Sequence, residues 1–164
     1  MTDKGYISIT WHRYIKLLFI LTLFAVIFGC APQQVKIYKP IQSVEGIRNE
    51  VIQHTVALLG RPYKSAAKGP DSFDCSGLIY YIYKKVNITL PVMTEGQIKT
   101  GYDVSRDSIL PGDLVFFKIK KNFHSGIMIN RTDFIHSSNS RGVTVDSIES
   151  KYWQKSFVCF RSVL

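Results

Sequence analysis

The feature that most limits how this chain folds is a change of period. Up to Gly101 the apolar residues recur at three- and four-residue steps. After the turn signal Leu110-Pro111-Gly112-Asp113 they run and alternate as strands do. Strands are predicted over 114–119, 125–129, 134–136, 143–146 and 157–163, and a helical turn carrying Trp153 over 150–155. Helices first and an antiparallel sheet second make an α+β domain.

The helical half has two main elements and a short one. Over 43–59, Val44, Ile47, Val51, Ile52, Thr55, Leu58 and Leu59 fall on one face, with Ser43 to cap the start and Gly60 to end it. His54 falls between the core positions and reads as a surface or boundary residue. A polar loop, 61–73, carries Tyr63 after Pro62. The second helix runs over 74–86, with Asp74 as N-cap and Lys84 and Lys85 in the last turn. Leu78, Ile79, Tyr80, Tyr81, Ile82 and Tyr83 make it apolar nearly all round, so it belongs in the interior. Gly77, one turn inside, is costly in a helix unless a substrate or another stretch of backbone packs against it. Thr94-Glu95-Gly96-Gln97 has the spacing of a capping box and predicts a short helix to Thr100, closed by Gly101.

Residues 1–29 read as an export signal. Lys4, Arg13 and Lys16 precede an apolar run, 17–28, broken only by Thr22. A dozen residues suit a signal core; a bilayer-spanning helix needs about 20. The run ends at Gly29-Cys30, as bacterial lipoprotein signals do, with Cys30 then carrying the lipid. A short signal anchor is the alternative, and Phe28 is bulky for the lipoprotein pattern. Either reading tethers the protein to a membrane and sets the domain outside the cytoplasm. Residues 30–42, with Pro32 and Pro40 around a polar stretch, form the tether, and the domain occupies 43–164.

The length of 164 residues suits one domain, and 46% apolar with 20% charged residues supports a packed core. Net charge is +9; beyond residue 29 there remain 18 basic against 11 acidic residues, +7. A basic exported domain is drawn to anionic surfaces such as lipid headgroups or acidic wall polymers. No basic helix or aromatic-basic motif supports a nucleic acid partner.

Three cysteines do not make a disulfide framework. Cys30 goes to lipid, and Cys159 sits in the apolar run Phe157-Val158-Cys159-Phe160 as a core residue. Cys75 is left, and an unpaired thiol in an oxidising compartment calls for a functional reason. It lies at a helix start, where the positive helix end stabilises a thiolate. Nucleophilic chemistry then needs a base and a group to hold that base. His124 and His136 stand on the two sides of one predicted hairpin. They share a face only if His136 pairs opposite Gly126 or Met128; opposite Ile127 they would be separated. A Cys/His/His zinc site is the rival, but it lacks ligands paired at short spacing and a fourth ligand.

The chain resembles the NlpC family of papain-like cysteine peptidases of bacterial cell walls. The likeness is carried by Gly60-Arg61-Pro62-Tyr63, Phe73-Asp74-Cys75-Ser76-Gly77-Leu78, Leu90-Pro91, Gln97, Pro111-Gly112-Asp113-Leu114-Val115-Phe116-Phe117, His124-Ser125-Gly126-Ile127, Phe134-Ile135-His136-Ser137 and Tyr152-Trp153. It runs over 44–164 and is nearest to the small lipoprotein murein endopeptidases of the Spr type. It implies an NlpC-type domain with helices packed on an antiparallel sheet. Cys75 matches the nucleophile, His124 the base and His136 the residue that orients it. Tyr63, with Asp74 and Ser76 beside the nucleophile, is assigned to the oxyanion and substrate side. The implied reaction is amide hydrolysis in the peptide stem or crosslink of peptidoglycan, through a thioester. Cofactor and metal are not expected, and a monomer is. Ser125 stands where the family usually has valine, and Ala66, Ala67 and Lys68 replace part of a commonly glycine-rich loop; both departures bear on the cleft walls. An acyltransferase on the same cysteine–histidine scaffold and a non-catalytic wall-binding lipoprotein are the alternatives.

Overall fold

The computed structural model describes residues 44–164. The predicted signal, Cys30, the tether and the Ser43 cap lie outside the described residues. Helix α1 (Val44–Val56) continues through turns to Gly60, which takes φ +82° and ends it. Helix α2 (Cys75–Lys85) begins directly after its N-cap, Asp74, whose side chain accepts from the Gly77 N–H. Helix α3 (Thr94–Gln97) is a single turn that bends on to Gly101 at φ +74°.

The second half is strands, as the period demanded. They are β1 (Tyr102–Val104), β2 (Leu114–Ile119), β3 (Asn122–Met128), β4 (Asp133–Ser138), β5 (Gly142–Ser147) and β6 (Phe157–Ser162), with α4 (Lys151–Ser156) before β6. Among the described residues they form one antiparallel sheet in the order β1-β6-β2-β3-β4-β5. β1 is an addition to the predicted set. It has only three residues, two of them exposed, and it exists by pairing with β6.

Both faces of the sheet are covered, which explains why 114–117 is a continuous apolar run. Leu114 and Phe116 join Ile127, Ile135 and Val143 under Leu78, Ile79, Ile82 and Tyr83 of α2 and Val51 of α1. Val115 and Phe117 point the other way, to Met128, Phe134, Phe160 and Trp153 of α4. Helix α2 is therefore central, as its composition required. Arg48 of α1 pins the first layer to the start of β2 through Asp113 at 2.9 Å and the Pro111 carbonyl at 2.7 Å. Cys159 is half-buried against the first core, and His54 is exposed.

The capping-box expectation needs correcting. No side chain caps α3, whose N-cap residue is Met93. Thr94 and Gln97 are turned inward instead. The Gln97 amide donates to the carbonyls of Ser76 and Pro91, both at 2.9 Å. Long-range partners on α2 have outcompeted the local cap. Gly77 is likewise resolved: a Cβ there would run into the carbonyl oxygen of Ala67, so the close neighbour is the loop before Cys75.

Candidate active site

Cys75 is the first residue of α2. Its backbone N–H has no carbonyl four residues back to reach, and no partner among the described residues. The thiol Sγ lies 3.7 Å from Thr94 Oγ1, within reach of a sulfur hydrogen bond. Asp74 and Ser76 flank it and form a cluster behind the helix start. Asp74 accepts from Gly77 N at 2.6 Å, from Lys68 Nζ at 2.8 Å and from Ser76 Oγ at 3.1 Å. Neither Asp74 nor Ser76 lines the cleft, whereas Tyr63 and Cys75 do.

The histidines meet the register condition. Ile127 stands opposite Ile135 and Met128 opposite Phe134, a register that continues to Gly126 opposite His136. His124 and His136 thus share a face. Their rings lie 4.9 Å apart, nearly perpendicular, with His124 Nε2 2.9 Å from His136 Nδ1. The β3–β4 ladder is confined to those two pairs. Cys75, carried by the helix on the other face, and the two imidazoles line one open cleft of about 500 Å³.

A further polar residue completes the array. His136 Nε2 lies 3.0 Å from Asp146 Oδ2 on β5, which also accepts from Arg141 Nη2 at 2.7 Å and Trp153 Nε1 at 3.0 Å. Trp153 also lies over His124, 24° from parallel with centroids 5.4 Å apart. The sequence reading missed Asp146. Its link to the histidines runs through the β4–β5 register, in which Thr144, two residues before it, pairs with His136.

Burial sets the charge states. It is the main force holding His124 far below the ordinary imidazole range, at about 3, with the neighbouring His136 adding to it and the Asp146 charge opposing. His136 is also lowered, by burial against the pull of Asp146. Burial alone would raise the Asp146 carboxyl, but hydrogen bonds from Arg141, His136 and Trp153 win and lower it. The resting site is therefore two neutral imidazoles backed by a carboxylate. Tyr63 is raised, by desolvation first and then by Cys75 and Asp74, so it keeps its proton. Among the described residues no cluster of His, Cys, Asp and Glu could hold a metal ion. The arrangement can take a proton from a thiol, return it to a leaving group, and offer a free N–H at a helix start to a developing oxyanion.

Residues 60–162 match the NlpC/P60 family. The "Probable endopeptidase NlpC" of Escherichia coli is 37% identical over 102 residues, 60% of this chain and 66% of that protein. The "Gamma-DL-glutamyl hydrolase" of Bacillus subtilis is 32% identical over 120 residues, 69% of this chain and 29% of its own length. The chain thus spans less than two thirds of either relative. Among solved structures, an NlpC/P60 family protein from Bacillus cereus superposes with a TM-score of 0.68 at 29% identity, over 71% of this chain and 40% of that one.

Proposed function

The chain belongs to the NlpC/P60 family, and on that premise we propose that it is a cysteine peptidase of the bacterial cell wall. It hydrolyses an amide bond in the stem peptide or crosslink of peptidoglycan. His124 takes the Cys75 proton as the sulfur attacks the scissile carbonyl, and the Cys75 N–H, with Tyr63 near it, receives the oxyanion. The proton passes to the leaving amine. Water, activated by the same histidine, then cleaves the thioester and restores the thiol. His136 holds the His124 ring. The domain works in the cell envelope as a monomer, tethered through lipid on Cys30.

The observation that carries this reading is the meeting in one cleft of a helix-start thiol and a neutral, buried histidine whose outer nitrogen is engaged by a second histidine. The names of the matched relatives, an endopeptidase and a glutamyl hydrolase, support the same reaction class. The cleft lining supports a polar, anionic peptide: it offers Ser138, Asn139 and Ser140, and Lys120 is its one cationic residue.

The test is digestion of purified peptidoglycan, with products separated by mass. The wild-type protein releases shorter muropeptides without any amine acceptor, and Cys75→Ala releases none. Undiminished release by Cys75→Ala would overturn the nucleophile. Product formed only when an amine or lipid acceptor is supplied would point to acyl transfer instead.

A further inference from the structure

A hydrogen bond between two neutral imidazoles has a hidden ambiguity. His124 Nε2 and His136 Nδ1, 2.9 Å apart, are equally well joined whichever nitrogen donates. If His124 donates from Nε2, its Nδ1 keeps a lone pair and can act as a base. If His136 donates from Nδ1, His124 carries its proton on Nδ1 and is useless as a base. The pair by itself does not choose.

Asp146 chooses. Its Oδ2 sits 3.0 Å from Trp153 Nε1 and 2.7 Å from Arg141 Nη2, groups that only donate. That position must therefore hold an accepting oxygen. The third group on the same oxygen, His136 Nε2 at 3.0 Å, must then donate too. A neutral imidazole has one N–H, so His136 Nδ1 bears a lone pair, His124 Nε2 bears the hydrogen, and His124 Nδ1 is left basic. Among the described residues that last nitrogen has no hydrogen-bond partner.

We propose that Asp146 is a positioning residue that fixes both histidines as Nε2–H tautomers and so puts the usable lone pair on Nδ1 of His124. This rests on the reading of His124 as the base. When the Cys75 S–H proton moves to Nδ1, the sulfur keeps the bonding pair and His124 becomes a cation. Its Nε2–H stays donated to His136, whose own N–H stays on Asp146, so no other proton moves. The carboxylate faces Arg141 from the β4–β5 turn, Trp153 from α4 and His136 from β4, and its charge raises the basicity of His124. Trp153 lies over the ring that becomes charged, a favourable place for an aromatic face.

Two measurements test this. The first is long-range proton–nitrogen NMR of the full wild-type chain labelled with ¹⁵N-histidine, without substrate. His124 and His136 are each expected to show a protonated Nε2 and an unprotonated Nδ1; a hydrogen on Nδ1 of His124 overturns the proposal. The second is Asp146→Ala, in which both the accepting oxygen and the charge are lost, so that His136 is free to donate from either nitrogen. Cys75 alkylation by iodoacetamide and muropeptide release are followed against pH. We expect kcat to fall about 10- to 100-fold, by analogy with groups that orient a metal-bound histidine from behind, with KM little changed. The acid limb of the profile should move to lower pH, a shift that loosened packing alone would not produce. Wild-type kcat with an unmoved limb overturns the proposal. If the variant does not fold, the NMR result on the wild-type chain decides. A chain that cuts no peptidoglycan but shows the expected nitrogens and alkylation profile would refute the substrate and leave the tautomer assignment standing.

Discussion

Ser137 Oγ donates a 2.7 Å hydrogen bond to the carbonyl of Phe73, two residues before Cys75. Its neighbour on β4 is His136. Adjacent strand residues point to opposite faces, so one strand holds the partner of His124 with one face and the loop entering Cys75 with the other. Cys75 and the histidine pair are thus tied to each other through one strand.

Ser137→Ala tests that link. The Phe73 carbonyl keeps a second donor, Lys64 N at 3.1 Å, so it is not left bare. The expected cost is about 1 kcal/mol in urea unfolding, the ordinary worth of such a bond. Activity should fall by more than that loss of folded protein explains, mainly in kcat, because the loop gains freedom at the nucleophile. Unchanged kcat with lowered stability would show that β4 only braces the fold.

Gly77→Ala probes the other side of the same loop. A methyl at Gly77 would meet the Ala67 carbonyl oxygen, a backbone atom that cannot swing away. That carbonyl also accepts from Asp74 N at 3.0 Å. The loop must shift, breaking or stretching this bond at the N-cap of α2. We expect about 1–3 kcal/mol of destabilisation, as for overpacking elsewhere, despite alanine's better helix propensity. A stability gain in thermal unfolding would show that the loop yields freely.

What was legible in the sequence was what is local. Asp74 as cap of α2, the turn before β2 and the bounds of β2 follow from neighbours in the chain. Thr94 and Gln97 were misread because their local pattern matches a cap, while the partners that win them, Cys75 and Ser76, lie 19 and 21 residues away. β1 was missed because its partner, β6, is supplied at the far end of the chain. The relation of His124 to His136 was reduced to a question of register. Asp146 lay one strand further, beyond a second undetermined register, so nothing in its own neighbourhood marked it.

The cleft's charge predicts a substrate preference. Lys120, at the β2–β3 turn with φ +55°, is the one lysine or arginine lining the cleft, and no carboxylate lines it. Substituting Lys120→Ala should raise KM a few-fold for stem peptides with free carboxylates, the scale of an exposed ion pair. Peptides whose carboxylates are amidated should be cut equally well by both proteins. The difference should shrink as salt is added. An equal loss on both substrates would assign Lys120 to the shape of the turn, not to charge.

The buried histidines also make stability depend on pH, with a definite sign. His124 and His136 lie below the ordinary value of 6.5 because burial disfavours their charged forms. In the unfolded chain they take up protons near 6.5, so between there and their folded values the unfolded state binds more protons. Their contribution is complete above that pH and is lost as pH falls through it, by up to about 1.4 kcal/mol per unit for each group. Asp146, lowered in the folded state, adds loss of the same sign below its ordinary 3.8. Urea unfolding from pH 8 to 4.5 should show a plateau and then a decline beginning near 6.5. In His124→Gln the decline should be shallower, because one of the two protons is no longer taken up. A stability that stays flat to pH 4.5 in the wild-type protein would mean that both imidazoles take up protons in the folded state as they do in the unfolded one, and that burial does not hold them neutral.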